Sequence, residues 1–134
     1  MKIERQQAFE TYNHGILWRA TQINLQLATS PNKDAKFFAL GSMLLSVLAF
    51  EGYLNWLGSR IAPKVWKDER QFFSKKPFRG TLGKYRYLAE LLHLPAPDPS
   101  QDAFQTAKRL LKLRDRIVHP KTEAGNRSVK EPLN

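Results

Sequence analysis

Phe37-Phe38-Ala39-Leu40-Gly41-Ser42-Met43-Leu44-Leu45-Ser46-Val47-Leu48-Ala49-Phe50-Glu51-Gly52-Tyr53-Leu54-Asn55-Trp56-Leu57 decides the fold. The run is apolar almost all the way round a helix, the pattern of a helix enclosed by others. It predicts a central, buried helix from about Asp34, a candidate N-cap, to Ile61 ahead of Pro63. Glu51 and Asn55 break the apolar company at an i, i+4 spacing, which puts both on one face. A carboxylate buried there without a partner would be costly.

Upstream, Phe9, Tyr12, Ile16, Ala20, Ile23 and Leu27 recur on one face of a first helix running from about Glu4 to Ala28, and Ser30-Pro31-Asn32 ends it. Downstream, Pro63 to Gly80 breaks into a basic connection of about residues 62–80, with room for a short helix around Val65 to Phe73. A third helix starts at Thr81, with Leu82, Tyr85, Leu88, Ala89 and Leu92 on its apolar side, and continues through His93. Pro95-Ala96-Pro97-Asp98-Pro99 cannot be helix. Ser100 is the expected cap of a last helix, with Asp102 in its first turn. The expectation is one all-α domain over residues 1–121, an up-and-down bundle of four to five main helices. Residues 122–134, polar and aperiodic, are expected to form a flexible tail.

In the last helix, Phe104, Ala107, Leu110, Arg114 and Ile117 recur at steps of three and four, so Arg114 falls on the stripe that should face the core. A guanidinium cannot lose its proton and needs an anion, a hydrogen-bonding pocket or an interface; a phosphate fits its planar fork well. Pro120 disfavours α geometry at the residue before it, which makes His119 the last helical residue or the cap. An imidazole at a helix C-terminus suits a group that must take and return a proton. The spacing alone is weak, since Arg86 and His93 repeat it inside the third helix as a surface pair. His14 stands beside Gly15 with no second ligand at metal spacing.

The chain has 134 residues, a formal net charge of +10 and no cysteine, which excludes disulfides, zinc-thiolate sites and a thiol nucleophile. No HExxH, carboxylate cluster, Gly-rich phosphate loop or G-x-S-x-G elbow is present, so no metal or other cofactor is implied. The excess charge is concentrated in two segments. Residues 60–86 carry nine basic and two acidic side chains, and 108–121 carry six and one. The first interleaves Lys64, Lys67, Arg70, Lys75, Lys76 and Arg79 with Trp66, Phe72, Phe73, Phe78, Tyr85 and Tyr87; the second adds Lys112, Arg116 and Lys121. Basic side chains track phosphates and exposed aromatics stack on bases, so RNA is the expected partner; the competing reading makes the charges a solvated surface and the aromatics core. The longest uncharged run, Phe37 to Phe50, is 14 residues. A membrane span needs about 18 to 20, and Met1 to Gln7 has no apolar signal core. The expectation is a soluble, cytoplasmic protein.

Arg114-Asp115 followed by His119 resembles the hallmark of the HEPN superfamily, an Arg followed by a polar residue and then a His, with four to six residues between the Arg and the His. Leu44 to Asn55, with its Phe50-Glu51 and later Asn55, is similar to the long central helix of many bacterial members, and Thr81 to Leu88 to the lysine-bearing helix before the last one. The likeness covers about residues 34–121. Asp115 stands where asparagine is commoner, and the basic connection is long.

The resemblance implies a helical bundle, often a homodimer in which two copies of the motif line one cleft, and metal-independent cutting of RNA to leave 2′,3′-cyclic phosphate and 5′-hydroxyl ends. Arg114 would then hold the scissile phosphate, His119 would move protons, and Asp115 would orient the imidazole or the arginine. Glu51 would pair with Arg114 or His119 in the unliganded state, with Asn55 as its hydrogen-bonding neighbour. The family context suggests a toxin with its antitoxin, or a defence effector. The alternatives are a non-catalytic RNA- or nucleotide-binding module and an interaction subunit of a nucleotidyltransferase-type partner.

Overall fold

The computed structural model describes the backbone of residues 2–119 and the side chains of residues 13–119. Lys121 and the tail expected at 122–134 lie outside the described residues, as do the side chains of Phe9 and Tyr12. Four long helices, α1 (Lys2–Thr29), α2 (Ala35–Ile61), α5 (Gly80–Leu91) and α6 (Asp102–Val118), are joined by turns and by the short α3 (Pro63–Lys67) and α4 (Glu69–Phe72). The fold is all-α, and no strand occurs among the described residues. α2 is the hub, with α1, α3, α5 and α6 all packed on it.

α1 and α2 form an antiparallel hairpin whose seam is partly polar. Ser42 Oγ donates to the Thr21 carbonyl (3.1 Å), while Thr21 Oγ1 and Asn24 Nδ2 donate back to the Leu17 and Ala20 carbonyls of their own helix. Further along, the His14 ring packs against Tyr53 and Trp56. This corrects the face expected for α1. Thr21 is buried, whereas Ile16 (60 % exposed), Ile23 and Leu27 look outward. Hydrophobic periodicity identifies residues that share a stripe, and here that stripe is not the one pressed on α2.

α2 also departs from burial on all sides. Ser42, Val47, Ala49, Leu54 and Gly58 are buried, yet Phe37 (62 % exposed), Leu40, Met43 and Leu48 are open. The reason is geometric: α3, α5 and the core cluster cover its second half, around Leu54 and Gly58, and leave an apolar stripe on the first. By length and composition alone α2 is apolar enough to cross a membrane, although its longest uncharged run is shorter than a span.

Asp34 stands at the N-cap of α2 without a side-chain cap bond; it is the Asn32 side chain that accepts from the Asp34 N–H, tightening the turn instead. The core cluster consists of Leu54, Trp66, Phe73 and Leu88, with Phe50, Leu57, Val65, Phe78 and Tyr87 packed around it. Most aromatics of the basic connection are therefore core, and only Phe72 and Tyr85 keep more than a third of their surface exposed. Burying a ring of this size outweighs leaving it free to stack on a base. Two glycines allow this packing. A Cβ on Gly58 would lie 2.0 Å from the Trp66 ring, and one on Gly83 would lie 2.2 Å from the Phe78 backbone.

α5 ends earlier than its apolar pattern suggests. Leu94 N–H donates to the Ala89 carbonyl (2.8 Å) and His93 N–H to Glu90 (3.1 Å), a Schellman closure with His93 in the left-handed region at φ 56°. His93 is thus outside the helix, and the supposed Arg86–His93 helix pair does not exist as one. α6 is capped at Gln101, not at Ser100. Ser100 instead gives its N–H and Oγ–H to Asp98 (2.9 and 2.7 Å), closing the turn that precedes the helix. α6 packs half-buried on α2 through Phe104, Ala107 and Leu110, and none of its residues is fully buried.

Candidate functional site

Three helices converge on one carboxylate. Glu51 of α2 accepts from Thr81 Oγ1 of α5 (2.9 Å), and Arg114 Nη1 of α6 lies 2.8 Å from each of its oxygens. Arg114 Nε donates to Asp115 Oδ1 at 2.7 Å. The guanidinium is held on two edges, and no described hydrogen bond uses Nη2. Burial of about three quarters of the Arg114 side chain works against its charge; the Asp115 hydrogen bond and the Glu51 charge outweigh that and raise its pKa further. It is a permanent cation.

Asp115 therefore engages the arginine. His119 caps α6, with its N–H on the Asp115 carbonyl (2.9 Å) and its side chain exposed. The structure brings Glu51, Arg114 and Asp115 into contact and sets His119 one turn beyond Asp115.

Asn55 is one turn from Glu51 but serves a second polar group. Its Oδ1 accepts from Lys84 Nζ (2.9 Å) and from Trp66 Nε1 (3.2 Å), and Lys84 also pairs with Glu69 at 2.8 Å. Asn55, expected as a hydrogen-bonding neighbour of the Glu51 pair, instead gives its amide oxygen to Lys84 and Trp66, because α5 lies along this face of α2. Thr81, Lys84 and Glu69 were not singled out as site residues from the sequence. The available signal was the pairing of two polar residues at one-turn spacing on α5, Thr81 and Lys84, with two on α2, Glu51 and Asn55.

The other candidate RNA contacts are exposed: Lys64 and Lys67 on α3, Arg70 on α4, Lys75, Lys76 and Arg79 before α5, and Lys112 and Arg116 on α6. Of these, Arg70 lines a shallow cleft with Asn55, Glu69, Thr81 and Lys84, and Lys67 lines a neighbouring one with Asn55 and Glu69. No protein-family model, curated protein or solved structure matches the chain.

Proposed function

We propose that the chain is a HEPN-type, metal-independent endoribonuclease that works as a homodimer on single-stranded RNA in the cytoplasm, in the manner of a toxin or defence effector. The observation that carries this is the Arg114 guanidinium, fixed by Glu51 and Asp115 with Nη2 in none of the described hydrogen bonds, on a helix that ends in His119. In this reading Nη2 binds a non-bridging oxygen of the scissile phosphate and opposes the charge that develops there. His119 removes the proton of the 2′-hydroxyl as O2′ bonds to phosphorus. The P–O5′ bond breaks, and the leaving O5′ takes a proton from the second histidine of the dimer. The products are a 2′,3′-cyclic phosphate and a 5′-hydroxyl.

The homodimer is supported by the unpartnered apolar side chains of α1 and α2, among them Ile16, Ile23, Phe37 and Leu48. The test is incubation with single-stranded RNA in EDTA. Cleavage with cyclic-phosphate ends, lost in Arg114→Ala and His119→Ala, is the expected result; intact RNA beside a cut control, or full activity in both variants, overturns the reading.

A second reading is favoured by the same ion pairs. Two carboxylates already neutralise Arg114, an arrangement that also suits a module which binds RNA or a nucleotide without cutting it. Salt-sensitive binding without turnover would identify it. An antitoxin or a nucleotidyltransferase-type partner that covers Arg114 would identify an interaction subunit.

A further inference from the structure

We propose that the cleft between α1, α2 and α3 is a nucleobase-binding site, which seats a base of the strand whose phosphate lies at Arg114. RNA as the source of that base rests on the ribonuclease reading; the cleft's fitness for a base rests on its own lining. The cleft has a volume of about 560 Å³ and is walled by His14, Trp56 and Trp66, with Asn13, Asn55 and Lys67 among its polar lining. That is the size and make-up of a small-ligand site, with aromatic walls and a few polar groups for orientation.

Three observations point to a base. First, His14 Nδ1 and Trp56 Nε1 are buried without a hydrogen-bond partner, and both residues belong to this cleft, where their rings lie 5.2 Å apart. Unsatisfied buried polar atoms are few in folded proteins, and a base edge supplies both donors and acceptors. Second, Asn55 is oriented. Two donors, Lys84 Nζ and Trp66 Nε1, claim its Oδ1, so its NH₂ is the group left to offer. Third, cations border the aromatic wall. Arg60 lies 4.9 Å over the Trp56 ring and Lys67 lines the opening, the company that a nucleotide's phosphate requires.

A row of polar side chains links the cleft to the arginine site. A shallower cleft lined by Asn55, Glu69, Arg70, Thr81 and Lys84 shares Asn55 and Glu69 with it, and Thr81 is bonded to Glu51, the partner of Arg114. Glu51 and Asn55 are one helical turn apart, about 6 Å, a step that neighbouring nucleotides of one strand can cover.

The experiment uses the whole chain as Arg114→Ala, which cannot hold the phosphate, titrated with each of the four ribonucleosides while the three indole N–H signals of Trp18, Trp56 and Trp66 are followed by NMR. Saturable shifts of Trp56 and Trp66, with exposed Trp18 unmoved, are the expected result, and His14→Ala should weaken binding about tenfold. Unmoved Trp56 and Trp66 signals at millimolar nucleoside in the folded protein overturn the proposal, as do equal shifts of all three. RNA cleavage by the unsubstituted chain with no indole shift removes the base site and leaves the ribonuclease reading. Indole shifts without cleavage remove the ribonuclease and retain the base site.

Discussion

Arg114 is held by an ion pair and a hydrogen bond that a lysine could not reproduce, because Nε and Nη1 point at two different carboxylates in a fixed fork. Arg114→Lys should therefore keep the charge and lose the geometry. In the ribonuclease reading, single-turnover cleavage should fall by about a hundredfold or more. Glu51 has the opposite effect on a bound anion. Removing it frees Arg114 Nη1 and leaves Thr81 Oγ1 without its acceptor, so Glu51→Ala should lower stability by about 1–2 kcal/mol in urea unfolding. The same variant should bind RNA more tightly, because one competing carboxylate is gone.

The need of Arg114 for an anion was legible in the sequence, since a guanidinium interrupted an apolar stripe, and so was the oddity of Glu51 in apolar company. The partnership of Glu51 with Thr81 was not, nor was the Lys84–Asn55–Glu69 group. Those contacts depend on how α5 is rotated on α2, which one helix's periodicity does not encode.

At the scale of elements, the ends of helices carry the testable consequences. His93 closes α5 at φ 56°, a conformation that costs a residue with a Cβ about 1 kcal/mol. His93→Gly should raise the melting temperature while leaving the site unaltered. Before α6, Ser100 holds the Asp98 carboxyl below its ordinary pKa through its side-chain and backbone hydrogen bonds. A carboxyl lowered by folding stabilises above its unfolded pKa and loses that contribution as pH falls through its folded pKa. Asp98→Ala should lower stability on the neutral plateau and leave it unchanged below the folded pKa, so that the acid limb of stability against pH flattens.

Element boundaries were legible wherever Pro or Gly punctuated the chain, as at Pro31, Pro63 and residues 95–99. Facing was less so. α1 has apolar residues on more than one side, Ile16 and Ile23 as well as Trp18 and Leu25, and its seam with α2 runs through Thr21. The aromatics of the basic connection admitted two readings because a buried ring and a base-stacking ring look alike until their neighbours are known.

For the whole molecule, the apolar surface left on the α1–α2 hairpin is the main departure from a self-sufficient bundle. Monomers seldom expose contiguous apolar area beyond a few hundred Å². In the homodimer reading, Ile23→Glu, placed on the exposed stripe of α1, should leave helix content unchanged and shift the mass seen by light scattering at micromolar concentration from dimer to monomer. A monomer in both proteins would remove the two-copy cleft from the mechanism. The all-α class was legible from the apolar run of α2 alone; the thinness of its covering was not, because hydropathy reports what a helix wants and not how much protein is present to supply it.

Trp66 joins these scales. Its ring lies on the bare backbone of Gly58 inside the core, and its N–H fixes the Asn55 amide that Lys84 also grips. One indole thus serves as keystone and as anchor of a polar side chain, and genetics will feel both duties. Gly58→Ala would force the ring off its seat at about 1–3 kcal/mol. In a screen scored by activity in growing cells, its phenotype would sit beside that of Arg114→Ala. Temperature separates them: alleles at Gly58 and Gly83 should regain function in the cold, whereas in the ribonuclease reading alleles at Arg114 and His119 should stay silent at every temperature.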